Sequence, residues 1–239
     1  MESAREFTAP EIGDGLSYSA EPRESAIGRP QMIVLQVDSA ISTVDGLAWL
    51  TGRRDAEMGH RLAALRREAA EQRWGWADLT RARLKHLRPR RAEINDLGAA
   101  YLQALVPGAV DAVAALRRAD IAISLASDVA AEALFGVANA LGVSPNEIFA
   151  PRLRFDALGA FVGCDLNAAR ADDELDAAGA RSKSAALRTL YVGTRRSAVF
   201  APRVTDAFVA LSNGVDQDGP ADAVATIASV RDLAALVLP

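Results

Sequence analysis

Residue types and spacing point to chemistry at four places in this chain, each where an apolar run ends in polar side chains. The stretch QMIVLQVDSAIST, residues 31–43, carries Met32 to Leu35 into Gln36, Val37 and Asp38. IAISLA (121–126) is followed by Ser127 and Asp128, LYVG (190–193) by Thr194, Arg195 and Arg196, and AFVAL (207–211) by Ser212. A carboxyl at a strand tip, Asp38, is suited to give or take a proton. The amide of Gln36 two residues earlier cannot attack an electrophile, but it hydrogen-bonds. A serine hydroxyl and two arginines are the residue types that hold anionic oxygens.

Positioning these tips requires strands that end together. Apolar runs of four to six residues alternate with helical patterns, which implies a parallel sheet covered on both faces. In such sheets ligands sit beyond the C-terminal strand ends. The expected fold class is therefore α/β, a three-layer doubly wound parallel sheet. Pro107-Gly108 opens a helix that ends near Ala119, and DVAAEALFGVANALGV is a helix stopped by Gly142. RLRFDALGAFVGC reads as a hairpin turning at Ala157 to Gly159. ADAVATIASVRDLAALVLP closes the chain as helix. Residues 46–104 form a helical insert, with Met58, Leu62, Leu65 and Ala69 at helical spacing and with Pro89 and Gly98 as its breaks. Residues 1–30, rich in Glu, Ser, Pro and Gly, read as a mobile tail.

Half of the chain is hydrophobic, enough for a sizeable core. The single cysteine, Cys164, leaves no internal disulfide, reads as a small buried hydrophobe and fits a cytoplasmic location. One cysteine and two histidines, His60 and His86, argue against structural zinc. No apolar run reaches membrane-spanning length and the N-terminus lacks a secretory pattern, so no membrane association is expected. The net charge is −4, yet residues 51–92 carry 12 Lys and Arg against 5 Asp and Glu. That block is either an anion-steering surface or a solvated helical face. It lacks interleaved aromatics, and nucleic acid is not expected as a partner. Trp74 and Trp76, flanking Gly75, are either a lid over a ligand or packing within the insert. DDELD (172–176) reads as a solvated acidic loop.

The tips and runs in this order resemble the haloacid dehalogenase (HAD) superfamily, in its phosphoserine-phosphatase-like branch. The resemblance spans about residues 31–236 and is carried by VLQVDSAISTVDGLAWL, WGWADLTRARLKHL, VPGAVDAVAALRRADIAISLAS, IFAPRLRFDALGAFVG and ARSKSAALRTLYVG. It implies a Rossmannoid core, residues 31–45 plus 105–239, with a helical cap at 46–104. It also implies the branch's machinery: an aspartate nucleophile, an acid/base two residues on, a serine, a lysine and a magnesium loop. Matched residue by residue, Gln36 stands at the nucleophile position and Asp38 at the acid/base position. Ala40 replaces the usual threonine. Ser127 and Lys183 match the serine and lysine, and Asp128 and Val129 replace two glycines. Where the branch has Gly-Asp-Gly-x-Asn-Asp, this chain reads GTRRSA, residues 193–198.

With those carboxylates gone, magnesium binding is expected to be lost or weak, and no cofactor is expected. Arg195 and Arg196, with Lys183 and Ser127, would make a metal-free anion pocket; alternatively both arginines face solvent. Three functional readings follow. The first is a non-hydrolytic binder of a small anionic, phosphorylated ligand or of a protein partner. The second is a diverged metal-independent enzyme using Asp38 as general acid/base. The third is a residual phosphatase in which Asp38 or Asp128 takes over attack.

Overall fold

The computed structural model describes residues 29–166, 189–194, 207–212 and 223–238. Lys183, Arg195, Arg196, the acidic run 172–176 and nearly all of the expected tail lie outside these residues.

The apolar runs form strands because both of their faces are covered. Strand β1 (Met32–Gln36) buries Ile33, Val34 and Leu35 almost completely. The other strands are β2 (Ala122–Ala126), β3 (Ile148–Phe149), β4 (Arg152–Phe155), β5 (Phe161–Asp165), β6 (Thr189–Gly193), β7 (Ala207–Leu211) and β8 (Ala225–Ile227). Six of them make one sheet in the order β3-β2-β1-β6-β7-β8, parallel throughout. Strand β1 lies between β2 and β6, with Leu35 opposite Leu125 on one side and Val192 on the other. The chain builds outward from β1 first on one side and then on the other, so the order reverses at its tip. That is where an open α/β sheet leaves a crevice. The expected hairpin is β4–β5, a separate antiparallel pair.

The insert comprises α1 (Gly46–Thr51), α2 (Ala56–Glu71), α3 (Trp76–Leu87) and α4 (Arg91–Gln103). Asp45 and Asp55 cap α1 and α2, accepting from Ala48 N–H (2.8 Å) and Met58 N–H (2.9 Å). Met58, Leu62 and Ala69 of α2 and Ala77, Thr80, Leu84 and Leu87 of α3 are buried. The insert's two connections run side by side: Thr43 N–H donates to Ala104 O (3.0 Å) and Val106 N–H to Ile41 O (2.9 Å). On the core, α5 (Ala109–Arg118) and α6 (Ala131–Leu141) are the two helices read from sequence.

Two expectations are corrected. Gly98 does not break a helix; it lies inside α4. A Cβ there would sit 3.1 Å from Ala133 O on α6, so the glycine lets two helix backbones approach closely. Gly98→Val is expected to cost about 1–3 kcal/mol by forcing the helices apart, read by urea denaturation. The closing segment is not one helix. Thr226 and Ile227 enter the sheet in β8, Ser229 caps a short turn by accepting from Arg231 N–H, and the helix spans only Leu233–Val237. Its alanines favour helix, but a free sheet edge beside β7 claims the β-branched pair. Among the described residues no helix is long and apolar enough to cross a membrane.

Candidate functional site

Beyond β1 the chain makes one wide turn, Val37–Ile41, closed by a bond from Ser42 N–H to Val37 O (3.0 Å). Ser39 takes a left-handed conformation (φ 57°), held by its N–H on Val44 O (2.9 Å). The turn carries Asp38 inward, where it is 8 % exposed. Its Oδ1 accepts from Gly46 N–H (3.0 Å) and from the Tyr101 hydroxyl. Oδ2 is buried with no hydrogen-bond partner among the described residues. Burial raises the carboxyl from 3.8 to about 6. The Ser127 and Tyr101 hydroxyls and the Gly46 N–H pull against that rise, and Asp128 adds to it. The Tyr101 phenol is pushed well above its ordinary value by burial and by the Asp38 charge, so it stays a donor.

Gln36 faces β6. Its Oε1 accepts from Thr194 N–H (2.9 Å) and lies 3.4 Å from the Thr194 hydroxyl. Ser127 at the tip of β2 accepts from Val129 N–H (3.2 Å). Asp128 beside it takes the Trp76 indole N–H on Oδ1 (2.7 Å), and Arg83 Nη1 lies 3.7 Å from its Oδ2. Trp76 and Arg83 are seven residues apart on α3, hence on one face, and together they fasten the insert onto β2. The Asp128 side chain is 39 % exposed and lines the cleft. There desolvation raises its pKa, while Trp76 and Arg83 oppose the rise.

Core and insert enclose a cleft of ≈ 990 Å³. Gln36, Asp38 and Asp128 line it from the sheet side, and Arg66, Arg67, Trp74, Trp76 and Arg83 from the insert. Arg83 is only 13 % exposed in its side chain, and its Nε–H is buried with no partner among the described residues. Burial lowers its pKa, and repulsion from Arg66 adds to this against the attraction of Asp128 and Asp45.

The structure thus brings Gln36, Asp38, Ser127 and Asp128 to one place, as their strand-tip positions imply. Thr194 is there too, as a partner of Gln36. Ser212 is not; its N–H pairs with Ile227 O (3.0 Å) in the sheet edge. Trp76 bonds to the core, whereas Trp74 bonds to Gln72 (2.9 Å). His60 and His86 are exposed. Cys164 is half-buried against the core rather than fully enclosed. Sequence reasoning missed Tyr101, Gly46, Arg66 and Arg83 as site residues. The heptad spacing of Trp76 and Arg83 was a signal for the last.

The described residues do not fit a magnesium ion. Gln36 offers one neutral oxygen, already committed to Thr194; Asp128 is held by an indole N–H and a guanidinium; Asp45 caps α1; among these side chains that leaves Asp38 Oδ2. Magnesium takes octahedral oxygen coordination, ordinarily with one or two carboxylates. Among the described residues no three His, Cys, Asp or Glu side chains converge to hold a metal.

No protein-family model matches the sequence, and no curated protein matches it. Solved structures do. A phosphoserine phosphohydrolase-like protein from Francisella tularensis superposes with TM-score 0.67 at 16% identity, over 87% of this chain and 100% of that one. A phospho-aspartyl intermediate analogue of phosphoserine phosphatase gives 0.62 at 16% identity, over 87% and 99%. A HAD family hydrolase from Salmonella enterica serovar Typhi gives 0.63 at 12% identity, over 88% and 72%. At such identities the likeness concerns the backbone and not the chemistry. The chain has the haloacid dehalogenase fold in its phosphoserine-phosphatase-like form.

Proposed function

We propose that this protein is a non-hydrolytic binder of a small anionic ligand, phosphorylated metabolites among them, held in the cleft between sheet and insert. The observation that carries the reading is Arg83. A guanidinium so buried, with an unpartnered Nε–H, a second arginine nearby and only a 3.7 Å contact to Asp128, is under-neutralised. An anion in the cleft would supply the missing acceptor. Lys183, Arg195 and Arg196 lie outside the described residues, and the reading does not depend on them. The amide at the nucleophile position and the poor fit to magnesium support the absence of phosphoryl transfer.

The test is a thermal-shift screen of inorganic phosphate, O-phosphoserine and a panel of phosphorylated and carboxylated metabolites, with and without magnesium. A ligand at 100 times its Kd adds about 2.7 kcal/mol, a rise of about 5–10 °C for a chain of this size. Arg83→Met, which keeps the apolar stem, is expected to remove more than half of that rise. A shift that needs magnesium, or that Arg83→Met leaves intact, counts against the reading.

A second reading is favoured by Asp38. Its pKa of about 6, with one oxygen fixed by two donors and the other making no hydrogen bond among the described residues, is the state of a carboxyl poised for proton transfer near neutrality. In that reading the protein is a metal-independent enzyme. Asp38→Asn would then abolish turnover and leave the ligand's thermal shift in place, whereas a pure binder shows no turnover to lose.

A further inference from the structure

The cleft has a second end, at the tip of β1, and it differs in character from the arginine wall. Gln36 ends β1 and Asp38 lies two residues on, in the turn that follows, and both line the cleft. The Thr194 N–H has only a proton to offer, and it meets Gln36 at 2.9 Å. That bond decides which end of the amide is which: Oε1 is turned to β6, and Nε2 with its two protons is left for the cleft that Gln36 lines. On the same wall, Asp38 has Oδ1 occupied by Gly46 and Tyr101, and Oδ2 makes no hydrogen bond among the described residues, although the Ser127 hydroxyl is close enough to act on the carboxyl. Buried polar atoms are rarely left so. The tip therefore sets a hydrogen-bond donor and an acceptor on one wall of the cleft. Asp38 repels an anion from the β1 tip, whereas Arg66 and Arg83 on the insert attract one; Asp128 lies 3.7 Å from Arg83 and partly offsets it.

We propose that Gln36 Nε2 and Asp38 Oδ2 together grip a neutral head group offering an acceptor and a donor on adjacent atoms, a carboxamide, while the ligand's anionic end lies on Arg66 and Arg83. This rests on the cleft being a ligand site, and it reverses the direction in which a phosphate ester would enter. Gln36 is then a recognition residue and Thr194 the residue that orients it. A carboxylate head would place like charge against Asp38.

The experiment is a titration of the ¹⁵N-labelled full chain at about pH 8, where Asp38 is ionised. The probes are succinamate and glutaramate, each against its isosteric diacid, succinate or glutarate. The Gln36 side-chain amide is assigned by its absence in Gln36→Glu and Gln36→Met, and the Arg83 Nε–H by its absence in Arg83→Met. One of the two amides is expected to shift both signals, with a Kd at least about tenfold below that of its diacid. Gln36→Glu keeps an oxygen for Thr194 and is expected to lose that preference; Gln36→Met loses it without adding charge. A shift at Arg83 alone, with equal affinities for amide and diacid, overturns the head-group assignment and leaves the anion-binding cleft standing. A shift at Gln36 alone upholds the head group and overturns the anionic end. No shift at either signal with any of the four overturns both.

Discussion

Asp38→Asn is expected to make the protein more stable at about pH 8, by about 1–3 kcal/mol, and to remove most of the pH dependence of its stability in mild acid. The folded chain raises this carboxyl from 3.8 to about 6. Two pH units are about 3 kcal/mol of difference between the protonation states. Between about pH 4 and 6 the folded state holds a proton on Asp38 that the unfolded state has released. Stability in that window therefore falls as pH rises. The contribution is fully present below about pH 4, is lost as pH passes about 6, and stays lost above. Asparagine keeps an oxygen for Gly46 and Tyr101 and carries no charge; its unpartnered amide protons offset part of the gain. Asp128, also raised, contributes in the same direction and leaves a residual slope. Urea denaturation of both proteins from about pH 4 to pH 8 reads the effect. Parallel curves across that range would show that Asp38 is not the buried charge described here.

Gly46→Ala should have the largest destabilising effect in the site, about 3 kcal/mol, or a fall in Tm of about 6–12 °C. A Cβ at this position would fall on the Tyr101 hydroxyl and within 2.9 Å of Asp38 Oδ1. Tyr101 is fully buried and cannot swing aside. Tyr101→Phe alone removes a donor from a buried carboxyl and is expected to cost about 1–3 kcal/mol. It also removes the atom that the new methyl would strike. The two substitutions together should cost less than their sum, by at least about 1 kcal/mol in a double-mutant cycle. Additivity would mean that hydroxyl and glycine do not meet.

The second prediction concerns Gly46 and Tyr101, which the sequence did not reveal as site residues, whereas the strand tips, Asp38 among them, were plain in it. A parallel strand buried on both faces is a run of apolar residues with an abrupt polar end, so Gln36, Asp38 and Ser127 announced themselves. The β4–β5 hairpin did too, through its alternation around a turn. Tyr101 lies 63 positions from Asp38 and is one apolar-face residue among several on α4. Nothing local marks its hydroxyl as the group that meets the carboxyl. Gly98 resembles any helix-breaking glycine until Ala133 is seen against it. Strand β8 was hidden because alanine-rich sequence favours helix and only the sheet edge overrules it. Arg83 was one of twelve cations in a basic block, and what distinguishes it is burial, which composition does not carry.

The seating of α4 has a mechanical consequence. Through Gly98 that helix is clamped to α6, and through Tyr101 it holds Asp38, while its N-terminal end is anchored by the paired Arg54 and Glu93 (Nη2 to Oε2, 2.7 Å). Helix α3 reaches the core separately, through Trp76 and Arg83 on Asp128. The two carboxylates of the site are thus fastened to the insert by different helices, Asp38 by α1 and α4 and Asp128 by α3, so that a load on one is not passed directly to the other.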